Sequence, residues 1–486
     1  MRKAAQTTPN ASSRLTVGRS VIFCAQLSFG VNDGREKFGG MKRSMVLSLA
    51  LLAVCFVGFV GFAFSFGIYH GAKRTGIMWA TVDFKDTIED AVKSFTGEGP
   101  TPFGIRAEYH LKPALYEGDG VTVNEVNEEE PSLIVLAGYF DGKLEMRLIR
   151  RDGTVVASWA LRSSKFVRDA SGPWTTVQGI LALPDGSVVF NFNDSGTVKL
   201  DKCGDVVWTL VHPVHHSLTR AEEGGFWSPG NRFFKKGEAS PLPLFETPFS
   251  MNTVLRISED GKVLSEMSVP KLIFDNRLGA ILTVGREFSD RRQGKMREII
   301  HLNKIAELTS DIAGDFPMFE VGDLALSLEN HNMIVVVDPD TWKVKWWRIG
   351  PWLRQHDPEF RRGGRLVVFN NNNYPTLEGT EASNKLSSNV VEIDPATDQY
   401  SIVFGSRKGQ EMSAPQRSSI ELTPNGGILI NESPRGRVLE VDAEGRIVWE
   451  YINRAGPDLI EIIFDIGIYP ASYFAVSDWS CAQAGG

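Results

Sequence analysis

One short motif returns along this chain and restricts the folds open to it more than any other feature. Asp152-Gly153-Thr154-Val155-Val156-Ala157-Ser158-Trp159 is echoed by Cys203-Gly204-Asp205-Val206-Val207-Trp208 and by Asp260-Gly261-Lys262-Val263-Leu264. It returns again as Asp340-Thr341-Trp342-Lys343-Val344-Lys345-Trp346 and as Glu444-Gly445-Arg446-Ile447-Val448-Trp449. Each copy is a Gly- or Asp-bearing hairpin turn followed by a strand that usually closes on tryptophan. A second echo joins Leu183-Pro184-Asp185-Gly186-Ser187-Val188-Val189-Phe190 to Arg362-Gly363-Gly364-Arg365-Leu366-Val367-Val368-Phe369 and to Thr423-Pro424-Asn425-Gly426-Gly427-Ile428-Leu429-Ile430. Helical periodicity almost vanishes from about Ile105 onward. Repeated four-stranded units protect their edges by radial repetition, so the expectation for residues 105–486 is an all-β fold, a six-bladed β-propeller. An open β-solenoid or a pair of sandwiches is the alternative. Trp208, Trp342, Trp346, Trp347 and Trp449, at hairpin ends, are read as packing between blades rather than stacking a quinone cofactor.

Composition narrows the class further. With 486 residues, 42% hydrophobic and 23% charged, the chain can bury one large core or two smaller ones. A net charge of −7, without a Lys/Arg cluster in the body, argues against nucleic acid as a partner. Cys24, Cys55, Cys203 and Cys481 form no CxxC pair and lack zinc spacing, so no structural metal is expected. No motif calls for a cofactor. The turns Asn193-Asp194-Ser195-Gly196 and Asp338-Pro339-Asp340-Thr341 lack the spacing of a calcium loop and read as hairpins.

Residues 45–69 carry no charge and are long enough to span a bilayer. Eight Lys or Arg residues precede this stretch, from Arg2 to Arg43, and only Lys73 and Arg74 follow closely. The positive-inside bias therefore places the N-terminus in the cytoplasm and the body on the outer side of an inner membrane. The exit Gly67-Ile68-Tyr69-His70 lacks a small-x-small cleavage pattern, so the span reads as an uncleaved single-pass anchor. Residues 1–44 read as a cytoplasmic tail, whose first 40 are either disordered or an extension upstream of Met41. Within 70–104, Ile77, Met78, Trp79, Val82, Phe84, Ile88, Val92 and Phe95 recur at near-helical spacing, and Gly97 to Pro102 ends the pattern. This juxtamembrane amphipathic helix is either a spacer or a contact through which a homo-oligomer could form. On the outward-facing body, pairing of Cys203 with Cys481 would tie the tail to an early blade.

A propeller gathers groups from different blades around the mouth of one channel. The chain has eight histidines. His215-His216, His301 and His356 fall where successive blades should begin. Adjacent strand residues point to opposite faces, so at most one of His215 and His216 is expected to reach the channel.

Further stretches resemble the bacterial arylsulfotransferases (aryl-sulfate sulfotransferases), in particular their membrane-anchored branch. The resemblance runs from about Gly120 to Trp479. It is carried by Phe140 to Ile149, His215-His216, His301-Leu302-Asn303, Phe316 to Leu324, Val344-Lys345-Trp346-Trp347, Gln355-His356-Asp357-Pro358-Glu359-Phe360 and Gly436 to Asp442. It implies transfer of a sulfuryl group from a phenolic sulfate to a phenol without a nucleotide donor. It also implies His356 as the nucleophile, with His301 and His216 (or His215) binding the sulfate oxygens.

Two positions depart from the family pattern. Glu329, in Leu326-Ser327-Leu328-Glu329, stands where the family carries an arginine, and Phe369-Asn370-Asn371 replaces Phe-Asp-Asn. A carboxylate about 4 Å from a sulfate would cost roughly 4 kcal/mol at an effective dielectric of about 20. A compensating group is therefore required, with Arg348, Arg354, Arg361, Arg417 and His331 as candidates. The block Asn370 to Asn373 suits either a left-handed turn or ligand hydrogen bonds. Two functions follow: a sulfotransferase, or a propeller that kept the fold and serves as a ligand-binding or scaffolding module.

Overall fold

The computed structural model describes residues 110–127, 129–161, 176–242, 244–284, 297–373 and 387–481. The expected tail, membrane span and juxtamembrane helix lie outside these residues, as do Cys24 and Cys55. Among the described residues no helix is long and apolar enough to cross a membrane.

Six sheets, antiparallel throughout except where Arg297–Glu298 runs parallel to Phe249–Ile257 in the third blade, form the expected six-bladed propeller. Blade 2 is the simplest: Val177–Ala182, Val188–Phe192, Gly196–Leu200 and Val206–Leu210, in chain order from the axis outward. Blade 3 runs from Thr219–Arg220 to Val263–Ser268, blade 4 from Leu302–Glu307 to Val344–Ile349, and blade 5 from His356–Arg361 to Tyr400–Phe404. Their middle strands, such as Val188–Phe192, Leu324–Leu328 and Met333–Val337, are buried along their whole length, because neighbouring blades cover both faces. The connection after blade 3 carries a short helix, Val269–Asp275, whose cap Ser268 accepts the Lys271 amide.

The ring is closed from both ends of the chain. Blade 1 places Ile463–Pro470 innermost, beside Ser132–Phe140, Lys143–Arg150 and Val155–Ala160. Blade 6, Ser419–Leu422 to Ile447–Ile452, takes Gly120–Asn124 as a fifth, outermost strand. Cys203 and Cys481 are disulfide-bonded across 278 residues, with Cα atoms 5.6 Å apart, and pin the tail to the outer hairpin of blade 2. Cross-linking so long a loop restricts the unfolded chain, so Cys203→Ser/Cys481→Ser is expected to lose about 2–5 kcal/mol of stability, measured by chemical denaturation.

The repeated tryptophan has a defined task. Trp159 donates from Nε1 to the Asp201 carbonyl, Trp208 to Glu259 and Trp449 to Arg151, at 3.0, 2.9 and 2.8 Å. Each accepting residue lies at the outer hairpin turn of the next blade, so turn and tryptophan recur together because one closes on the other across the blade boundary.

Five of the six inner strands begin at a left-handed residue: Gly179, His216, His301, Asp357 and Ser418, with φ of 62°, 54°, 55°, 54° and 80°. The register shifts at this end in blades 1, 2, 4 and 5. Only glycine fits at 179, where a Cβ would meet the His216 carbonyl oxygen at 2.3 Å. Non-glycine residues in this conformation cost about 1–3 kcal/mol each. That strain is concentrated at one end of the channel.

Candidate active site

The inner-strand starts bring His216, His301 and His356 together. Ring centroids of His216 and His301 are 4.8 Å apart, and those of His216 and His356 are 5.8 Å apart. The second strand of each blade ends beside the start of its first, as in the pairs Leu302 with Leu328 and His356 with Phe369. Glu329 and Asn371, which follow those second strands, therefore reach the histidines.

Hydrogen bonds fix the protons. Asn371 donates from Nδ2 to the carbonyls of Ala414 and Arg417, both at 2.8 Å, so its Oδ1 faces His356 Nδ1 at 2.7 Å. That oxygen can only accept, so Nδ1 of His356 carries the hydrogen and Nε2 keeps a lone pair. Burial lowers the pKa of His356, as does the neighbouring His301, against the pull of Glu329 and the Arg354 carbonyl, so the ring is neutral. Asn371→Leu would leave the tautomer unset, and if the chain carries out the transfer its sequence resemblance implies, about 10²-fold lower turnover is expected in steady-state assays.

A second chain runs through His215. The Leu302 amide donates to Asn252 Oδ1 at 3.3 Å, which turns Nδ2 towards Asn231 Oδ1, Glu298 Oε1 and His215 Nε2 at 2.6, 3.1 and 3.0 Å. Nε2 of His215 thus accepts, and its Nδ1–H donates to His216 Nδ1 at 2.8 Å. His216 is left with its hydrogen on Nε2. Of the two adjacent histidines, His216 lines the channel cavity and His215 lies behind it.

His301 differs from both. Its Nδ1 lies 2.7 Å from Glu298 Oε2 and its Nε2 lies 3.3 Å from Glu329 Oε2, so both nitrogens carry hydrogen. Burial works against its charge, but Glu298 and Glu329 outweigh it and raise the pKa to about 9. Glu298 is itself held down at about 2, since the His301 and His215 rings overcome its burial.

The buried Glu329 also pairs with Arg354 Nε. Arg354 and the His301 imidazolium thus balance the two carboxylates, Glu329 and Glu298. Arg417 lines the cavity with His216 and His356, and its guanidinium lies over the Phe464 ring, 5.2 Å from the centroid. The other candidates lie elsewhere: Arg348 pairs with Asp398, Arg361 pairs with Glu392, and His331 is buried without lining the cavity. In the asparagine block, Asn372 takes the left-handed turn, with φ 49°, while Asn371 holds His356.

One ring nitrogen from each of His216, His301 and His356 lies within 4.8 Å of the others, a spacing a transition metal could draw together. The protons oppose this. His301 has both nitrogens protonated and His216 presents N–H, so only His356 offers a free lone pair. The site thus sets one imidazole lone pair among hydrogen-bond donors.

Sequence reading missed the cavity's lower wall. Lys304 Nζ lies 2.7 Å from Asp357 Oδ1 and also pairs with Glu359, and Glu421 and Asp465 complete the cluster. Burial and neighbouring carboxylates raise the pKa of Glu359 and Glu421, and that of Asp465 to about 6. These charges sit on inner strands, where alternation alone would have read them as solvent-facing.

Fold and site together define a β-propeller whose channel mouth combines anion-binding donors with one unprotonated imidazole nitrogen. The chain belongs to the arylsulfotransferase (ASST) family, whose sequence profile matches residues 179–454, more than half of its length. No curated protein matches it in sequence. Among solved structures, a protein of unknown function from Bacteroides caccae is similar at 13% identity and TM-score 0.44, over 69% of this chain and 98% of that one. A catalytically inactive virginiamycin B lyase from Staphylococcus aureus, solved with quinupristin, is similar at 13% identity and TM-score 0.39, over 72% and 96%.

Proposed function

We propose that this chain is a membrane-anchored arylsulfotransferase, carrying a sulfuryl group from a phenolic sulfate to a phenol through a sulfohistidine at His356. The observation that carries this reading is the tautomer of His356, set by Asn371, which leaves Nε2 unprotonated in a ring whose neighbours are His216 and His301, with one nitrogen of each of the three within 4.8 Å of the others. Attack by Nε2 on sulfur divides one hard displacement into two easier ones. The His216 N–H, the His301 cation and Arg417 supply positive partners for the sulfate oxygens, where charge develops in the transition state. Because Arg354 and the His301 cation balance Glu329 and Glu298, the objection raised by the charge of Glu329 falls away.

The anchor is residues 45–69, with the body on the outer side of the inner membrane. The charge asymmetry around that span and the Cys203–Cys481 disulfide support this placement. Initial rates with an aryl sulfate donor and a phenol acceptor are expected to give parallel double-reciprocal lines, the signature of a ping-pong reaction. Intersecting lines would require donor and acceptor to be bound together and would contradict a covalent intermediate.

A further inference from the structure

We infer that Gln178 is a further substrate-binding residue, whose side-chain N–H groups hold the aryl oxygen that leaves in the first half-reaction and attacks in the second. The inference rests on the transfer reaction above. In that reaction the His356 Nε2 lone pair bonds to sulfur, the bond from sulfur to the aryl oxygen breaks, and its electron pair leaves with the phenolate. The acceptor then enters as a phenolate, its oxygen bonds sulfur, and the nitrogen–sulfur electron pair returns to Nε2. Each phenol exchanges its proton with water, so the step calls for a donor that stabilises charge on oxygen without giving up its hydrogen. A carboxamide N–H is such a donor.

Its place in the ring sets Gln178 apart. The inner strands follow one another around the axis in chain order, and that of blade 6 closes on that of blade 1. Blade 2, which carries Gln178, therefore stands opposite blade 5, which carries His356, and both side chains line the same cavity. In an in-line displacement the leaving oxygen lies beyond the transferred group from the nucleophile, so the oxygen that His356 expels faces blade 2. Of the residues this blade gives to the cavity, Gln178, Gly179 and Ile180, only Gln178 has a polar side chain. The strand bulges there, with a register shift between Gln178 and Ile180 around the left-handed Gly179, a device that re-aims a side chain. The His216 amide donates to Gln178 Oε1 at 3.2 Å, which fixes the two ends of the carboxamide. Nε2 is the other arm, and among the described residues no acceptor takes its hydrogens. By contrast, the Lys304 ammonium in the same cavity is held by Asp357 and Glu359, and the Ser419 hydroxyl by Asp465.

The test compares two donors on the full chain: dinitrophenyl sulfate, whose phenolate leaves unaided, and phenyl sulfate, whose more basic phenolate gains most from a hydrogen bond. Gln178→Met is expected to slow transfer from phenyl sulfate by about 10²-fold and from dinitrophenyl sulfate by less than about tenfold. Losses in folding or in sulfate binding fall on both donors alike and cancel in the ratio of the two rates. A ratio unchanged from the wild type would therefore overturn the proposal. Should Gln178→Met fail to fold, Gln178→Glu keeps the oxygen that takes the His216 amide and exchanges the N–H pair for a second oxygen. Its ratio is expected to move in the same direction, and an unmoved ratio would again overturn the proposal. A wild-type chain inert towards both donors would defeat the transfer reaction itself, whereas an unchanged ratio in an active enzyme defeats only the role of Gln178.

Discussion

His356→Ala is expected to lower phenol-dependent sulfuryl transfer by about 10⁴-fold or more in kcat, with little change in the apparent affinity for the donor. The two effects separate because the chain divides the labour. In the proposed reaction the neutral Nε2 of His356 makes the bond to sulfur, while the groups proposed to hold the sulfate oxygens come from other blades: His216 ahead of blade 3, His301 ahead of blade 4 and Arg417 ahead of blade 6. Removing the nucleophile leaves those groups in place. Donor binding can be read from inhibition by a non-transferable aryl sulfonate, and folding from circular dichroism. Residual transfer within about tenfold of wild type would mean that another group attacks sulfur.

Lys304→Met is expected to have the largest effect on stability. Its ammonium is buried on the axis, held by Asp357 from the next blade at 2.7 Å and by Glu359, with Glu421 and Asp465 beside them. Asp357 also accepts the Ile420 amide at 2.7 Å, and Asp465 accepts the Ser419 hydroxyl at 2.9 Å, so the cluster joins the inner strands of blades 4, 5, 6 and 1. Removing this ammonium leaves buried carboxylates without the cation that pairs with them, a loss of about 3–5 kcal/mol in a urea titration at pH 8. The sign of the pH dependence follows from the raised pKa values. Asp465, at about 6, holds its proton in the folded chain after the unfolded chain, with a pKa of about 3.9, has released it. Glu359 is raised in the same sense. Folding therefore takes up protons between about pH 4 and 6, and this contribution to stability declines as pH rises through that window. In Lys304→Met the carboxylates gain protons more readily still, so the deficit should be smaller at pH 5 than at pH 8.

The blades were legible because their signal is local. A turn such as Asp152-Gly153 and the tryptophan seven residues or fewer beyond it lie in one short stretch, and each serves the same kind of contact, the turn receiving Trp449 of the preceding blade and Trp159 reaching the turn of the next. The three histidines were legible for a similar reason, since each stands at the start of an inner strand. Ring closure was not: Gly120–Asn124 and Ile463–Pro470 find their partners at opposite ends of the chain. The tautomers were equally hidden. The proton on His356 depends on Asn371, whose orientation depends on carbonyls at 414 and 417. Glu329 read as a bare carboxylate because Arg354, its partner 25 residues on, approaches from the lead-in to the next blade. The inner-strand charges at 304, 357, 359, 421 and 465 follow the alternation of an exposed strand and become a buried cluster only when the ring closes.

The proposed transfer turns on a covalent intermediate at one nitrogen. The most direct test is to mix the full-length chain with an aryl sulfate in the absence of any phenol acceptor, quench, digest and locate the added sulfuryl mass. The expected result is a burst of one released phenol per chain, with the modification on His356 and lost when phenol is added. A burst with the group on another residue, or steady donor turnover with no modified peptide, would contradict it.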